Sequence, residues 1–419
     1  MAKKLLALVV CFALCAALVG CGTGEEAKEV TFNTEDWSGM DIRVAGYRNF
    51  SEDPLNFEFA EGAKKFSEEY GANVSFQVGG GDGMGEDLVA GIVAGDPWEI
   101  QYCFGISTFP LTFAEKLYTP ITEYVDYENN EMIDEITVEG TRWLGELYGV
   151  SSLPMQEVLY LAYNETWMKE LGLKTPHEYL AEGNWTMDAY KELNAKAAAL
   201  NAPSRSSFTR PHVGSKYMCD WNLETGECTI TYDSPENYNW LNYWASLLTD
   251  SQYNIKGGGF VSQRNSIMRD EVMPNLIKDE LTQETTDTIR YIHYPNEDGE
   301  LGVYLTDSHF LFPLGVAEEK LPCAFMLACY MTDMKSQMCS ENYAAHMTEE
   351  DWALFQENLD NAYYLPRIFY AGAFEIGGIF RKDIVDNGKA VATHIQENTE
   401  SLKARALEFN QKYVEGFEG

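Results

Sequence analysis

Aromatic and polar side chains stand together at several points of this 419-residue chain, and the combination suits one kind of chemistry. Tyr47-Arg48-Asn49-Phe50 sets two rings beside a guanidinium and an amide. Asp82 lies inside the glycine run Gly79 to Gly85, and Phe104 opens a stretch that ends at Thr108. A solute with apolar ring faces and hydroxylated edges needs such a set. It requires aromatic planes to lie against and charged or amide groups for paired hydrogen bonds. The chain's 9 Trp, 25 Tyr and 21 Phe supply the planes, although most of them must pack cores. Reactive chemistry leaves no comparable mark. With 66 acidic residues, chance carboxylate pairs are common, so no glycosidase-type pair stands out. No Gly-x-Ser-x-Gly elbow or His-Glu-x-x-His motif occurs, and the six histidines (His177, His212, His293, His309, His346, His394) are scattered. The glycine run lacks the Gly-Lys-Ser/Thr ending of a phosphate loop and the alternating acids of a calcium loop. No Cys-x-x-Cys pair occurs, and no Cys/His spacing fits zinc. No catalytic residue, cofactor or metal is expected.

Several elements must position these residues. Asp41 to Gly46 reads as a strand, Phe57 to Tyr70 as a helix closed by Gly71, and the alternating Asn73 to Val78 as a second strand. Asp87 to Ala94 is a short helix broken by Gly95-Asp96-Pro97, and Trp98 to Tyr102 is a third strand. This alternation predicts a parallel sheet with right-handed crossovers. Ligands of such sheets sit beyond the carboxyl ends of the strands. That is where Tyr47, Arg48, Asn49, Phe50, Asp82 and Phe104 fall. Farther on, Val158 to Tyr163 is a strand that Asn164 ends while capping a helix from Thr166 to Leu171. Thr186 and Ser234 cap helices to about Leu200 and, with Pro235 in its first turn, to about Leu248. Cys228 to Tyr232 and Ile289 to Tyr294 read as strands. Leu321 to Met331, Met347 to Asn358 and Gly388 to about Val414 read as helices. The polar stretch from Asn201 to Gly226 has no clear period.

The amino terminus decides the compartment. Lys3 and Lys4 precede an apolar run from Leu5 to Leu18, shorter than the ~20 residues a spanning helix needs. It closes in small residues before turning acidic, as a secretory signal does. Leu18-Val19-Gly20-Cys21 resembles a bacterial lipobox, which implies a signal over 1–20, lipidation at Cys21 and a tether over 21–36. Acyl chains contribute about 0.8 kcal/mol per buried methylene, enough to hold a body at the extracytoplasmic face without a spanning helix. The remaining length suggests two domains. The net charge of −36 argues against nucleic acid or anionic lipid as a partner. Disulfides are permitted in this compartment. Cys219 and Cys228 flank a turn and could face each other, while Cys103, Cys323, Cys329 and Cys339 read as small buried apolar residues.

Taken together, several segments resemble the family-1 extracellular solute-binding proteins, which include maltose- and multiple-sugar-binding lipoproteins. Gly91 to Ile100 is similar to the family's turn into its third strand, with Glu99 where an Asp is usual. Leu147-Tyr148-Gly149-Val150 through Leu153-Pro154 and Leu159 to Asn164 look like its first crossover. Leu171-Gly172-Leu173, Trp185-Thr186-Met187-Asp188, Thr229 to Glu236 and Phe260 to Met268 follow in the family's order. The resemblance implies an α/β, two-lobe periplasmic-binding-protein-like fold (type II), each lobe a mainly parallel sheet flanked by helices. Lobe 1 is expected over 37–151 plus 270–313, and lobe 2 over 152–269 plus 314–419. The crossovers are expected near Ser151–Pro154, Met268–Glu271 and Phe312–Gly315. Gln156 and Glu157 then follow the first crossover, His309 and Phe310 precede the third, and Tyr364 and Arg367 lie where the family often sends an aromatic into the cleft. The implied activity is capture of a small ligand, a sugar first and a polyamine or peptide second, by hinge closure. The implied partners are that ligand and the permease of an ABC importer, with the protein itself a monomer. A surface hydrolase or adhesin is the reading from another class.

Overall fold

The computed structural model describes residues 34–53, 56–79, 85–104, 116–127, 130–132, 138, 141–151, 159–206, 218–222, 224–253, 260–273, 276–277, 284–295, 304–305, 308–360, 363–364 and 380–414. The chain begins as the sequence pattern requires: β1 (Asp41–Gly46), α1 (Phe57–Tyr70), β2 (Asn73–Val78), α2 (Gly85–Ala94) and β3 (Ile100–Phe104). Gly71 closes α1 in the left-handed conformation, φ 75°, which costs a glycine no Cβ clash. β4 (Arg142–Trp143) and β5 (Glu146–Leu147) form a hairpin before β6 (Gly149–Ser151). A second run follows: β7 (Leu159–Asn164), α3 (Glu165–Glu170), α4 (Pro176–Ala181), α5 (Met187–Ala199), β8 (Arg205–Ser206), β9 (Cys219–Trp221), β10 (Cys228–Ile230) and α6 (Pro235–Thr249). Next come β11 (Met268–Val272), β12 (Ile289–His293), β13 (Tyr304–Leu305), β14 (Ser308–Leu311), α7 (Leu321–His346), α8 (Glu349–Asp360), β15 (Tyr363–Tyr364) and α9 (Val391–Phe409).

Two sheets organise these elements. The first runs β2-β1-β3-β14-β6. Its β2, β1 and β3 are parallel, as expected, and β14 lies antiparallel between β3 and β6. The second runs β12-β7-β11-β8, with β7 antiparallel to both β11 and β12. A mainly parallel second sheet was expected. Tyr160, Leu161, Ala162 and Tyr163 are all fully buried, so β7 reads as a continuous apolar run whichever way its neighbours point.

The expected lobe division changes with the strand pairing. Residues 268–272 and 289–293 pair with β7, so they belong with the second sheet and not with 37–151. The 268–271 segment is therefore a core strand and not a crossover. Residues 312–315 do not carry the chain away from the first sheet either. They lead into α7, whose amino-terminal half packs on α1 and β6. The contact is close: a Cβ on Gly62 of α1 would stand 2.5 Å from the Tyr330 carbonyl oxygen. The helix expected over 321–331 is longer, because α7 runs on for 26 residues to His346, whereas the one expected over 347–358 is α8. No Gly or Pro interrupts 323–346, and its carboxyl end enters another core, where Cys339 and Tyr343 join Tyr160 and Phe355. β8 and β9 fall inside the stretch from Asn201 to Gly226 that lacked a period.

The caps follow the expected chemistry. Asn164 accepts from the Trp167 amide at 2.8 Å, Thr186 from Ala189 at 3.2 Å and Ser234 from Asn237 at 3.1 Å. Cys219 lies opposite Ile230 and Cys228 opposite Trp221, and both thiols are free. All six described cysteines are buried. Burial pushes the thiols of Cys103 and Cys323 up to about 12 and that of Cys339 up to about 11.

Ion pairs fix both bodies. Glu99, buried at the amino end of the first sheet, accepts from the Arg43 amide at 2.8 Å and from the Lys320 ammonium at 2.7 Å. Burial alone would raise this carboxyl, but the bonds from Arg43 and Lys320 hold it below its ordinary range. In the second body, buried Asp351 accepts from Arg290 Nε at 2.9 Å and stands 3.0 Å from His177 Nε2, joining α8, β12 and α4. Glu99→Gln should lower stability by about 2–3 kcal/mol, because the Lys320 ammonium loses its counter-charge and the Arg43 guanidinium keeps only that of exposed Asp96. Urea unfolding of the pair of proteins measures this.

Stability should also fall in mild acid. Burial pushes His293 down to about 4 and lowers His394, so folding favours their neutral forms. The unfolded imidazoles bind protons near pH 6.5, so stability is complete above that pH and declines as pH drops towards 4. Each such group gives a slope of about 1.4 kcal/mol per pH unit within its window, about 3 kcal/mol in all for His293. The depressed carboxylates Glu99, Asp351 and Asp383 act only below their own ordinary range. Denaturation midpoints between pH 6.5 and 4.5 should therefore fall with pH in the wild type and about one proton less steeply in His293→Gln.

Candidate ligand-binding edge

Strand register gathers the candidate residues at one edge of the first sheet. β1 ends at Gly46, so Tyr47, Arg48 and Asn49 emerge at its carboxyl end. β3 ends at Phe104, which pairs with Ser308. β14 and β6 run the other way, so His309 faces Cys103 on one side and Ser151 on the other. β13 enters just before β14 and pairs with β15, Leu305 against Tyr364. The backbone thus brings Tyr47, Phe104, Ser151, His309 and Tyr364 to the same end of the sheet. Asp82, Gln156, Glu157, Arg367 and Cys21 lie outside the described residues.

An aromatic layer supports this edge. Phe50 packs edge-on to Phe59 (5.1 Å between ring centroids), Tyr102 (5.2 Å) and Phe76 (5.8 Å). Phe310 meets Phe59 at 5.1 Å and Tyr102 at 5.3 Å. Phe50 and Phe310 are 1% and 0% exposed, so both belong to this layer and offer a ligand no surface, unlike their expected role. Apolar side chains after β1 and within β14 fit core and cleft equally well, and only the packing separates the two. His309 is buried as well.

Above the layer lies a polar cluster. Half-buried Tyr47 accepts a hydrogen bond on its hydroxyl from Asn56 Nδ2 at 2.6 Å, and the same amide donates to Asp53 Oδ2 at 2.8 Å. Arg48, exposed, holds its guanidinium 5.4 Å over the Tyr47 ring and 3.5 Å from Asp53 Oδ1. From α7, the buried Lys335 ammonium donates to Asn56 Oδ1 at 3.0 Å and Glu58 Oε2 at 2.9 Å. Asn49 accepts from the Ser51 amide and hydroxyl, which shapes the turn. Asp53, Asn56 and Lys335 carry no local signal of this role: Lys335 is 279 positions from Asn56. An asparagine just before a helix reads as a cap, and only coordinates reveal that its side chain does something else. Among the described residues of this cluster the charges are two acids, Asp53 and Glu58, against two bases, Arg48 and Lys335.

Residues 57–259 match the profile of the bacterial extracellular solute-binding protein family. That stretch belongs to the family. The fold is the two-lobe α/β architecture of periplasmic binding proteins. The galacto-N-biose/lacto-N-biose I-binding protein of Bifidobacterium longum, solved with lacto-N-biose, superposes with a TM-score of 0.66 at 12% identity over 90% of this chain and 98% of its own. The sugar-binding protein MalE of Xanthomonas citri gives 0.66 at 12%, over 89% and 98%. The substrate-binding protein Lmo0181 of Listeria monocytogenes, in complex with cycloalternan, gives 0.64 at 13%, over 88% and 99%. No curated protein matches at the sequence level. Among the described residues no helix is long and apolar enough to cross a membrane, and no group of three or more His, Cys, Asp or Glu is placed to hold a metal.

Proposed function

We propose that this chain captures a saccharide at the carboxyl edge of the first sheet and hands it to the permease of an ABC importer. The observation that carries the reading is the polar cluster over the aromatic layer. Tyr47 presents a ring face and a hydroxyl beside the Arg48 guanidinium, and among the described residues of the cluster each acid stands against a base, Asp53 with Arg48 and Glu58 with Lys335. A ring with a guanidinium beside it and acids paired to bases suits a neutral polyol, whereas a polyamine requires a ring among several acids with no guanidinium. The fold shared with sugar-binding components supports the same reading.

The proposed halves follow the sheets. One holds 37–151 with 308–338, the other 159–293 with 347–414, and residues 151–159, 294–307 and the last turns of α7 over 339–346 pass between them. Asp82, Phe104, Gln156, Glu157, His309, Tyr364 and Arg367 would complete the site as the halves close. Closure then depends on contacts that the ligand makes with both sides. The body works as a monomer outside the cytoplasm and catalyses nothing. Cys21, after Leu18-Val19-Gly20, carries the lipid that holds it at the membrane.

Two measurements test this. Thermal-shift screening of the purified body against maltotriose, mannotriose, β-1,6-galactobiose, spermidine and a tripeptide should single out a saccharide. At one hundred times Kd the ligand adds about 2.7 kcal/mol of stability. Stabilisation by spermidine or the tripeptide alone overturns the sugar assignment. Growth of an expressing bacterium with an alkynyl fatty acid should label the full-length chain, and Cys21→Ser should abolish the label. Labelling that survives the substitution removes the anchor.

A further inference from the structure

Asn56 occupies the N-cap of α1, yet its side chain makes no capping bond. An N-cap asparagine ordinarily contributes about 1 kcal/mol by accepting from the first turn. Here the amide is turned the other way, with its oxygen taken by Lys335 and its nitrogen given to Tyr47 and Asp53. Lys335 is itself costly: its side chain has no exposed surface, and removing an ammonium from water costs several kcal/mol. Glu58 and the face of Phe59, 5.0 Å from the nitrogen, compensate part of that cost. Two local preferences, a capped helix and a hydrated lysine, are therefore both set aside around one phenol.

We propose that Lys335 is a positioning residue for Tyr47. Lysine has no acceptor, so the Lys335 ammonium must take the Asn56 carbonyl oxygen and thereby orient the amide. The amide nitrogen then faces the Tyr47 oxygen as a donor, which turns the phenol's own proton away from Asn56. Tyr47 thus stands at the edge as a hydroxyl of fixed direction, locked from α7. Ligand-contacting groups held by such a supporting shell keep their geometry when empty. The inference rests on the saccharide reading only for the consequence that affinity depends on this lock.

The experiment has one arm without ligand and one with it. Fluorotyrosine is incorporated, and the Tyr47 resonance in the ¹⁹F spectrum is assigned by its loss in Tyr47→Phe. Lys335→Met should move or broaden that resonance, whereas Glu99→Gln, which loosens the opposite end of the sheet, should leave it in place. An unmoved resonance in Lys335→Met overturns the proposal whether or not any sugar binds. In the second arm, the saccharide that stabilises the wild type is titrated calorimetrically well below the melting temperature of each variant. Tyr47→Phe and Lys335→Met should each weaken binding about tenfold, the double variant no further than the weaker single, and Glu99→Gln less than twofold. Wild-type affinity in Lys335→Met, or additive losses, overturns the role in binding. Should Lys335→Met fail to fold, Asn56→Leu breaks the same relay while keeping the Lys335–Glu58 pair, and must reproduce both effects. A wild type that binds no saccharide sinks the sugar reading alone, because the fluorine arm still decides whether Lys335 sets Tyr47.

Discussion

The first sheet depends on one strand arriving late. β14, at residues 308–311, fills the space between β3, at 100–104, and β6, at 149–151. Without it, β3 would be an open edge with unpaired amides and carbonyls, and β6 would have no paired strand among the described residues. This insertion obliges the chain to leave the first sheet after Ser151, build the second sheet, and return. The return delivers His309 beside Ser151 and the end of β3, and it draws β13 and β15 to the same edge. It also sets the start of α7, which must cross the sheet to reach α1. The candidate site is thus assembled by long-range pairing, at an edge defined by strand polarity.

The aromatic layer converts that topology into a firm platform. Phe50, Phe59, Tyr102 and Phe310 come from the loop after β1, from α1, from β3 and from β14, so four segments meet in one set of mainly edge-to-face contacts, with Phe59 and Tyr102 tilted. Such contacts are directional as well as apolar. They fix the backbone from which Tyr47 and Arg48 project. The polar residues above need not compete for position with loose loops, because the layer beneath them is packed to full burial.

Much of the first half was legible in the sequence. β1, α1 and β2 have the limits their periodicity predicts, because β1 buries Ile42 and Val44 on either side of half-buried Arg43, β2 alternates half-buried Val74 and Phe76 with exposed residues, and α1 meets a glycine stop. The caps at Asn164, Thr186 and Ser234 are local chemistry and read directly. The second half was less legible for a physical reason. β7 is buried on both faces, so alternation is lost and neither the direction of its partners nor the role of 268–272 can be inferred from it. α7 is another such case: its middle is polar enough to look like a break, yet Lys335 is drawn inside by Asn56 and Glu58, partners that adjoin it only in the fold. The edge itself followed from the rule that ligands meet strand carboxyl ends. Which of its side chains face outwards did not, and Phe50 and Phe310 went inwards.

The six described thiols give the molecule a property beyond packing. A thiol reacts as thiolate, and the raised pKa values of buried Cys103, Cys219, Cys323, Cys329 and Cys339 leave almost none of that form in the folded protein. Electrophiles and disulfide-bearing oxidants therefore find almost no thiolate at these five positions until the surrounding structure opens. The cysteines are spread through both bodies: Cys103 in β3, Cys219 and Cys228 in the β9–β10 hairpin, and Cys323, Cys329 and Cys339 along α7. Their individual rates of alkylation, resolved by peptide mass, form a map of local opening free energies written into the natural sequence, with no probe to engineer.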